Sequence, residues 1–235
     1  MRTDAKQNFH FGVNFVVAPT PSITNSAFIG FQGALAKPER GLGFEQAVRK
    51  EDGSGIQLIR NNSPLQVTVQ QVGPSVAQLL IIAPQPAQPL NDFINEAECV
   101  CEAFFESWPG EKTIVVRDGA LRRLYPLAVG AGGHAFQFLW ERRLHQADGA
   151  IQVFQRPILG GGIRLVFPPV GENGGPGFEV KIESFLQDPT QLFVETTAVW
   201  TKPLAAGELP DPRTIMETIQ EFADGPVEQF ILMES

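Results

Sequence analysis

Apolar and polar residues alternate along several short runs of the chain, and this period of two predicts strands. In Phe9–Val17 the residues Phe9, Phe11, Val13, Phe15 and Val17 share one face, while His10, Gly12 and Asn14 take the other. Such a half-buried strand also has the character of a sheet edge that could pair with another molecule. Ile56–Arg60, Leu65–Val72 and Val76–Ala83 follow the same rule, with a turn at Gly73-Pro74 between the last two. In the second half Phe136, Phe138 and Trp140 alternate as a strand, and Ile163–Phe167, Gly177–Phe185 and Gln191–Trp200 are further strands. Lys112–Arg117 and Ala120–Leu127, between the halves, read as a linking hairpin or sheet edge.

Two segments carry helical spacing instead. Over Asn91–Trp108, Phe93, Ile94, Ala97, Cys101, Phe104, Phe105 and Trp108 recur at three- and four-residue intervals. Pro109-Gly110 stops that helix. The second helix covers 211–224, with Asp211 as N-cap, Pro212 at the first helical position and Ile215, Ile219 and Phe222 as its apolar stripe. Gly225-Pro226 is expected to end it, leaving Val227–Met233 as a last strand or a docked segment. A short helix is predicted at Phe44–Lys50, inside a stretch that otherwise reads as irregular to Gly55.

These elements predict an α+β fold: a largely antiparallel sheet of about eight strands with two main helices, at 91–108 and 211–224. The chain 1–235 reads as one compact unit. Strand, long excursion, three strands, Pro-containing connector and helix occur in that order in both 8–110 and 112–235, which is compatible with two pseudo-repeated halves or with one sheet and its helices without internal symmetry.

Composition narrows the function classes. The 235 residues are 43% hydrophobic and 19% charged, as in an ordinary folded chain rather than a disordered one. The net charge of −8 gives an overall field of the wrong sign for nucleic acid or an anionic membrane, and neither is expected as a partner. The longest strongly apolar stretch, near Val76–Pro84, is far short of the ~20 residues a membrane helix needs. Met1–Asn8 is polar and lacks the apolar segment of a signal peptide, so the expected location is cytoplasmic. Cys99 and Cys101 are two positions apart on a helix, or ~200° around it. Cys101 then belongs to the core face and Cys99 to the opposite one, and they cannot bridge.

No motif selects a chemistry. Gly130-Ala131-Gly132-Gly133 has the look of a dinucleotide loop, but it precedes a predicted strand rather than a helix. Gly160–Gly162 and Gly171–Gly177 lack the Lys-Ser/Thr of a phosphate-binding loop, although the second is long enough to be a binding loop. His10, His134 and His145 show no metal-ligand spacing, and neither metal nor cofactor is expected.

Charge segregation is the feature that stands out. Lys112, Arg117, Arg122, Arg123, Arg142 and Arg143 are opposed only by Asp118 and Glu141 in the stretch from 112 to 145. Asn91–Glu111 holds six acids and no base, with Glu98, Glu102 and Glu106 four apart on one helix flank. Three readings compete: arginines paired with acidic helices of their own chain, a surface for a second copy or a protein partner, or a pocket for an anionic small molecule. The candidate ligand-binding residues are Arg122, Arg123, Arg142 and Arg143. On a strand, neighbours point to opposite faces, so at most one of each adjacent pair lines a given site. Two function classes follow. The first is a non-catalytic interaction or ligand-binding protein. The second is an enzyme acting on a small anionic substrate, with His134 as general base beside the flexible glycine run.

Overall fold

The computed structural model describes residues 5–127, 133–146, 152–171 and 174–233. It is an α+β fold built on one nine-stranded sheet in which every neighbouring pair is antiparallel. In chain order the strands are β1 (Gln7–Ala18), β2 (Gln46–Arg49), β3 (Gly55–Ile59), β4 (Gln66–Gly73), β5 (Val76–Pro84), β6 (Thr113–Pro126), β7 (Gly162–Phe167), β8 (Gly177–Ser184) and β9 (Gln191–Trp200). The sheet order is β2-β3-β4-β5-β1-β6-β9-β8-β7. It contains β3-β4-β5-β1 on one side of the centre and, reversed, β7-β8-β9-β6 on the other, and the two groups meet where β1 pairs β6.

Phe9–Val17 therefore belongs to a central strand, not an edge. β1 is hydrogen-bonded on both sides, opposing Ala83 and Leu121 at Phe11. The predicted hairpin at 112–127 is likewise a single strand, β6, which continues through Asp118-Gly119 without turning. Gly119 permits this close packing. A Cβ there would stand 2.7 Å from Ile215 Cγ2 and from Ile219 Cδ1, so the helix above lies directly on the strand.

Most of the buried apolar strand side chains face the helical layer. α1 (Asn25–Leu35), α2 (Leu90–Ser107) and α4 (Pro212–Phe222) cover a large cluster containing Phe11, Phe15, Leu79, Ile81, Val67 and Leu58. Phe31 and Trp108 pack at 5.3 Å between ring centres and join α1 to α2. A smaller cluster of Tyr125, Val180, Ile182, Leu192 and Val194 lies under a short helical segment, 135–143, and under the C-terminal helices.

Several expectations are corrected. α1 lies in the stretch read as irregular; Thr24 caps it, accepting from the Ala27 N–H at 3.2 Å. The helix expected at Phe44–Lys50 is instead β2, because 46–49 find backbone partners in 56–59 and bury no side chain that would hold a helix down. Phe136, Phe138 and Trp140 are helical. α3 (Ala135–Gln137) runs into a π-helical turn, Phe138–Arg143. The buried residues there are Ala135 and Leu139, four apart, and Phe136 stacks on Trp140 at 5.9 Å, also four apart. Gly225-Pro226 does not end the second main helix. It sits inside a π-helical segment, Ala223–Val227, that leads into α5 (Glu228–Leu232), so the tail is docked as helix, with Ile231 buried. Asp211 does cap α4, accepting from the Thr214 N–H at 2.9 Å, and Cys101 is buried with Cys99 partly exposed.

Candidate interaction surface

The basic residues singled out in the sequence lie in separate environments. Arg122 is on the helix-free face of the sheet, in a close ion pair with Glu195. Arg123, its neighbour on β6, points the other way under the C-terminal helices, as strand alternation requires. There its guanidinium, only 6% exposed, pairs closely with Asp224, and its Nε donates to Asn8 Oδ1 at 3.3 Å. Lys6 reaches the same carboxylates, at 2.7 Å from Asp224 and 2.6 Å from Glu228, and the Tyr125 hydroxyl donates to Glu228 at 2.9 Å. Burial, opposed by the nearby Arg123 charge, drives the Tyr125 pKa well up, and the hydrogen bonds from Lys6 and Arg123 outweigh burial to hold Asp224 below the usual carboxylate range. This cluster straps the C-terminal helices to the sheet.

Arg142 and Arg143 are on the π-helical turn, where Arg143 lies 5.3 Å from the Phe138 ring and burial lowers its pKa. Among the described residues no contact joins them to Arg122 or Arg123. His134 caps α3: the Phe136 N–H donates to its Nδ1 at 3.2 Å, which occupies a lone pair that a general base would use. The glycine run at 130–132 lies outside the described residues, as do 172–173 of the second loop. The acidic flank of α2 is answered by other bases: Glu106 by Lys37 and Arg40, and Glu98 by Arg213 of α4 at 2.8 Å.

The helix-free face carries a row of polar groups across the central strands. His10 on β1 opposes Arg122 on β6, which opposes Glu195 on β9, which opposes Lys181 on β8. Glu195 accepts from both Arg122 and Lys181, the latter at 2.6 Å, and these bonds keep its carboxyl below its usual range despite burial. Burial, helped by the Arg122 charge, lowers the His10 pKa to about 4. Asp118, two residues along β6 from Ala120, accepts from Asn14 Nδ2 at 2.7 Å, and burial raises its pKa. The charged members of this row satisfy one another, and among the described residues no group of three or more His, Cys, Asp or Glu side chains could hold a metal ion.

The unsatisfied surface lies elsewhere, at the β7 end of the sheet. A groove of about 310 Å³ has Leu165, Phe167, Val180 and Ile182 as its floor and Phe222, Val227 and Phe230 as its wall. Phe222 stacks on Phe178 at 4.0 Å and meets Phe167 edge-on at 5.4 Å, which holds the wall upright over the strands. At the other end of the sheet, the matching helix-side residues Ile56 and Leu58 of β3 and Val67 and Val69 of β4 are all buried. α1 and α2 cover them, and β2 pairs with the outer edge of β3. β7 has less cover: on the helix side Phe167 is 38% exposed and Ile163 and Leu165 are only partly buried, and among the described residues no strand pairs with its outer backbone edge. The sequence marks Ile163–Phe167 as a strand but carries no sign of whether another element covers it.

The chain matches no family model, no curated protein and no solved structure in comparisons with each. No helix among the described residues is long and apolar enough to cross a membrane.

Proposed function

We propose that this chain is a non-catalytic protein-binding module that takes an extended apolar segment along β7 and into the adjoining groove. The observation that carries this reading is the partly open helix-side face of β7, where Phe167 is exposed beside an apolar groove, whereas β3 and β4 at the other end are buried beneath α1 and α2 and only the short β2 beyond them is exposed. An added strand would meet free backbone groups along the edge, and its alternate side chains would enter the groove. Those are the two components of strand-addition recognition. The enzyme alternative is less well supported, since His134 serves as a helix cap and the polar row on the open face is internally paired.

Labelled six-residue peptides test the reading by fluorescence anisotropy. A peptide with apolar residues at alternate positions is expected to bind, and one of the same composition with its apolar residues contiguous is not. Phe230→Glu, which puts a charge on the groove wall, should abolish binding. Absence of binding by any alternating peptide, together with a chain that stays monomeric, would refute the proposal.

A further inference from the structure

We infer that the segment added to β7 is β7 of a second copy of this chain, paired antiparallel about a two-fold axis through Leu165. This rests on the reading of β7 as a docking edge and supplies its occupant.

The backbone determines which groups are free. The Ser184 N–H donates to Gly161 O at 3.0 Å, and β7 pairs β8 in the register Gly162↔Glu183 to Phe167↔Phe178. Antiparallel ladders alternate, so Ile163, Leu165 and Phe167 exchange bonds with β8. Gly162, Arg164 and Val166 turn their N–H and C=O groups outward.

Residues directly opposite in an antiparallel pair share a face, so only a few symmetric registers join these outward groups. Centring on Arg164 would set the two Arg164 side chains against each other. Centring on Val166 would set Arg164 against Pro168, which has no N–H to give. Centring on Leu165 keeps the two Arg164 side chains apart and moves Pro168 to the ends of the ladder, opposite Gly162, where one bond is lost at each end rather than beside the axis. Arg164 then opposes Val166 of the partner subunit, and both N–H and both C=O groups of each such pair are used. On the groove side, Leu165 meets its own copy and Ile163 meets Phe167 of the partner subunit, so apolar residues cover apolar residues. Arg164 is meanwhile neutralised within its own chain by Glu179, at 2.5 Å. This self-complementarity favours a second copy over an unrelated strand, and closed two-fold dimers are the commonest oligomers.

The chain's net charge of −8 opposes association, so added salt should tighten the dimer rather than weaken it.

Sedimentation of the full chain over a concentration series tests the inference, and a monomer–dimer equilibrium is expected. Val166 is exposed on the helix-free face opposite Glu179 of its own chain, so a Lys there is accommodated and a Glu is mildly destabilising, and melting of each variant verifies that the fold is kept. Val166→Lys sets like charges opposite each other twice per dimer and should raise the dissociation constant about two- to thirty-fold. Val166→Glu faces Arg164 of the partner subunit and should leave the dimer as tight or tighter. Leu165→Cys, in a Cys99→Ser background, should cross-link with itself on mild oxidation, because opposing Cα atoms in that position are ~4.5 Å apart. Arg164→Cys should not.

A monomer at every concentration that still binds alternating peptides would overturn self-pairing and leave the docking edge standing. A monomer that binds none would overturn both. A dimer indifferent to both Val166 variants, or weakened equally by Lys and Glu, would place the interface elsewhere or in another register, and the inference would fail.

Discussion

Arg123 offers the sharpest test of how the C-terminal helices are held. Replacing it by Met keeps most of the side-chain volume and removes the guanidinium, which is 6% exposed and paired with Asp224. Breaking a fully buried pair costs about 3–5 kcal/mol, because the remaining charge is stranded. Here the stranding is partial. Lys6 still contacts Asp224 and Glu228 at 2.7 and 2.6 Å, Tyr125 still donates to Glu228, and Asp224 is about a third exposed. Solvent and these surviving partners reduce the expected loss to about 2–3 kcal/mol. For a chain of this size that lowers Tm by about 4–12 °C. Thermal unfolding of Arg123→Met, Asp224→Asn and the double variant would measure it. Their coupling should exceed about 1 kcal/mol, since the two side chains share one contact. A Tm shift below about 1 °C, or additive single effects, would refute the strap. It would also restore Arg123 as a residue free to bind a ligand.

Further outcomes are expected. Gly119→Ala should destabilise by about 1–3 kcal/mol through overpacking against Ile215 and Ile219, and Ile219→Val should recover part of the loss in the same melts. Asp211→Ala should cost about 1 kcal/mol by uncapping α4, read from the urea midpoint. His10 titrates near 4 when folded, below its ordinary 6.5, so the unfolded chain takes up its proton first. Its contribution is complete above about pH 6.5 and lost as pH falls toward 4, and His10→Gln should flatten that part of the stability profile, provided the variant folds normally at pH 8. An unchanged profile would mean that His10 titrates normally.

Strands whose two faces differ in environment were legible from their own residues. Leu65, Val67 and Val69 face the core while Gln66, Thr68 and Gln70 do not, and the facing of each residue follows from that alternation alone. The helices α2 and α4 were legible for the same reason, with Cys101, Phe104, Ile215 and Ile219 on buried stripes. α1 was hidden because Gly30 and Gly33 interrupt its pattern and its apolar residues are not confined to one stripe, so its stability comes from packing on α2. The segment 135–143 misled because Phe136, Phe138 and Trp140 satisfy a period of two while Ala135 and Leu139 satisfy the helical one. Only burial shows which set faces the sheet.

The candidate site divides in the same way. That Arg122 and Arg123 must face apart followed from strand geometry, but their partners Glu195 and Asp224 are 73 and 101 residues away and carry no local signal. The open end of the sheet was invisible for a related reason. Ile163–Phe167 is legible as a strand from its own residues, but how far it is covered depends on where the C-terminal helices come to rest.

The sequence by itself determined the α+β class, most strand positions, two helices and the absence of a bridge between Cys99 and Cys101, because these depend on periodicities of two to four residues. The tertiary structure decided that β1 and β6 lie at the centre of the sheet, that the arginines are divided among separate environments, and that β7 is an edge strand only partly covered. Those are questions of which distant segments meet, and contacts between residues far apart in the chain leave no periodic trace in it.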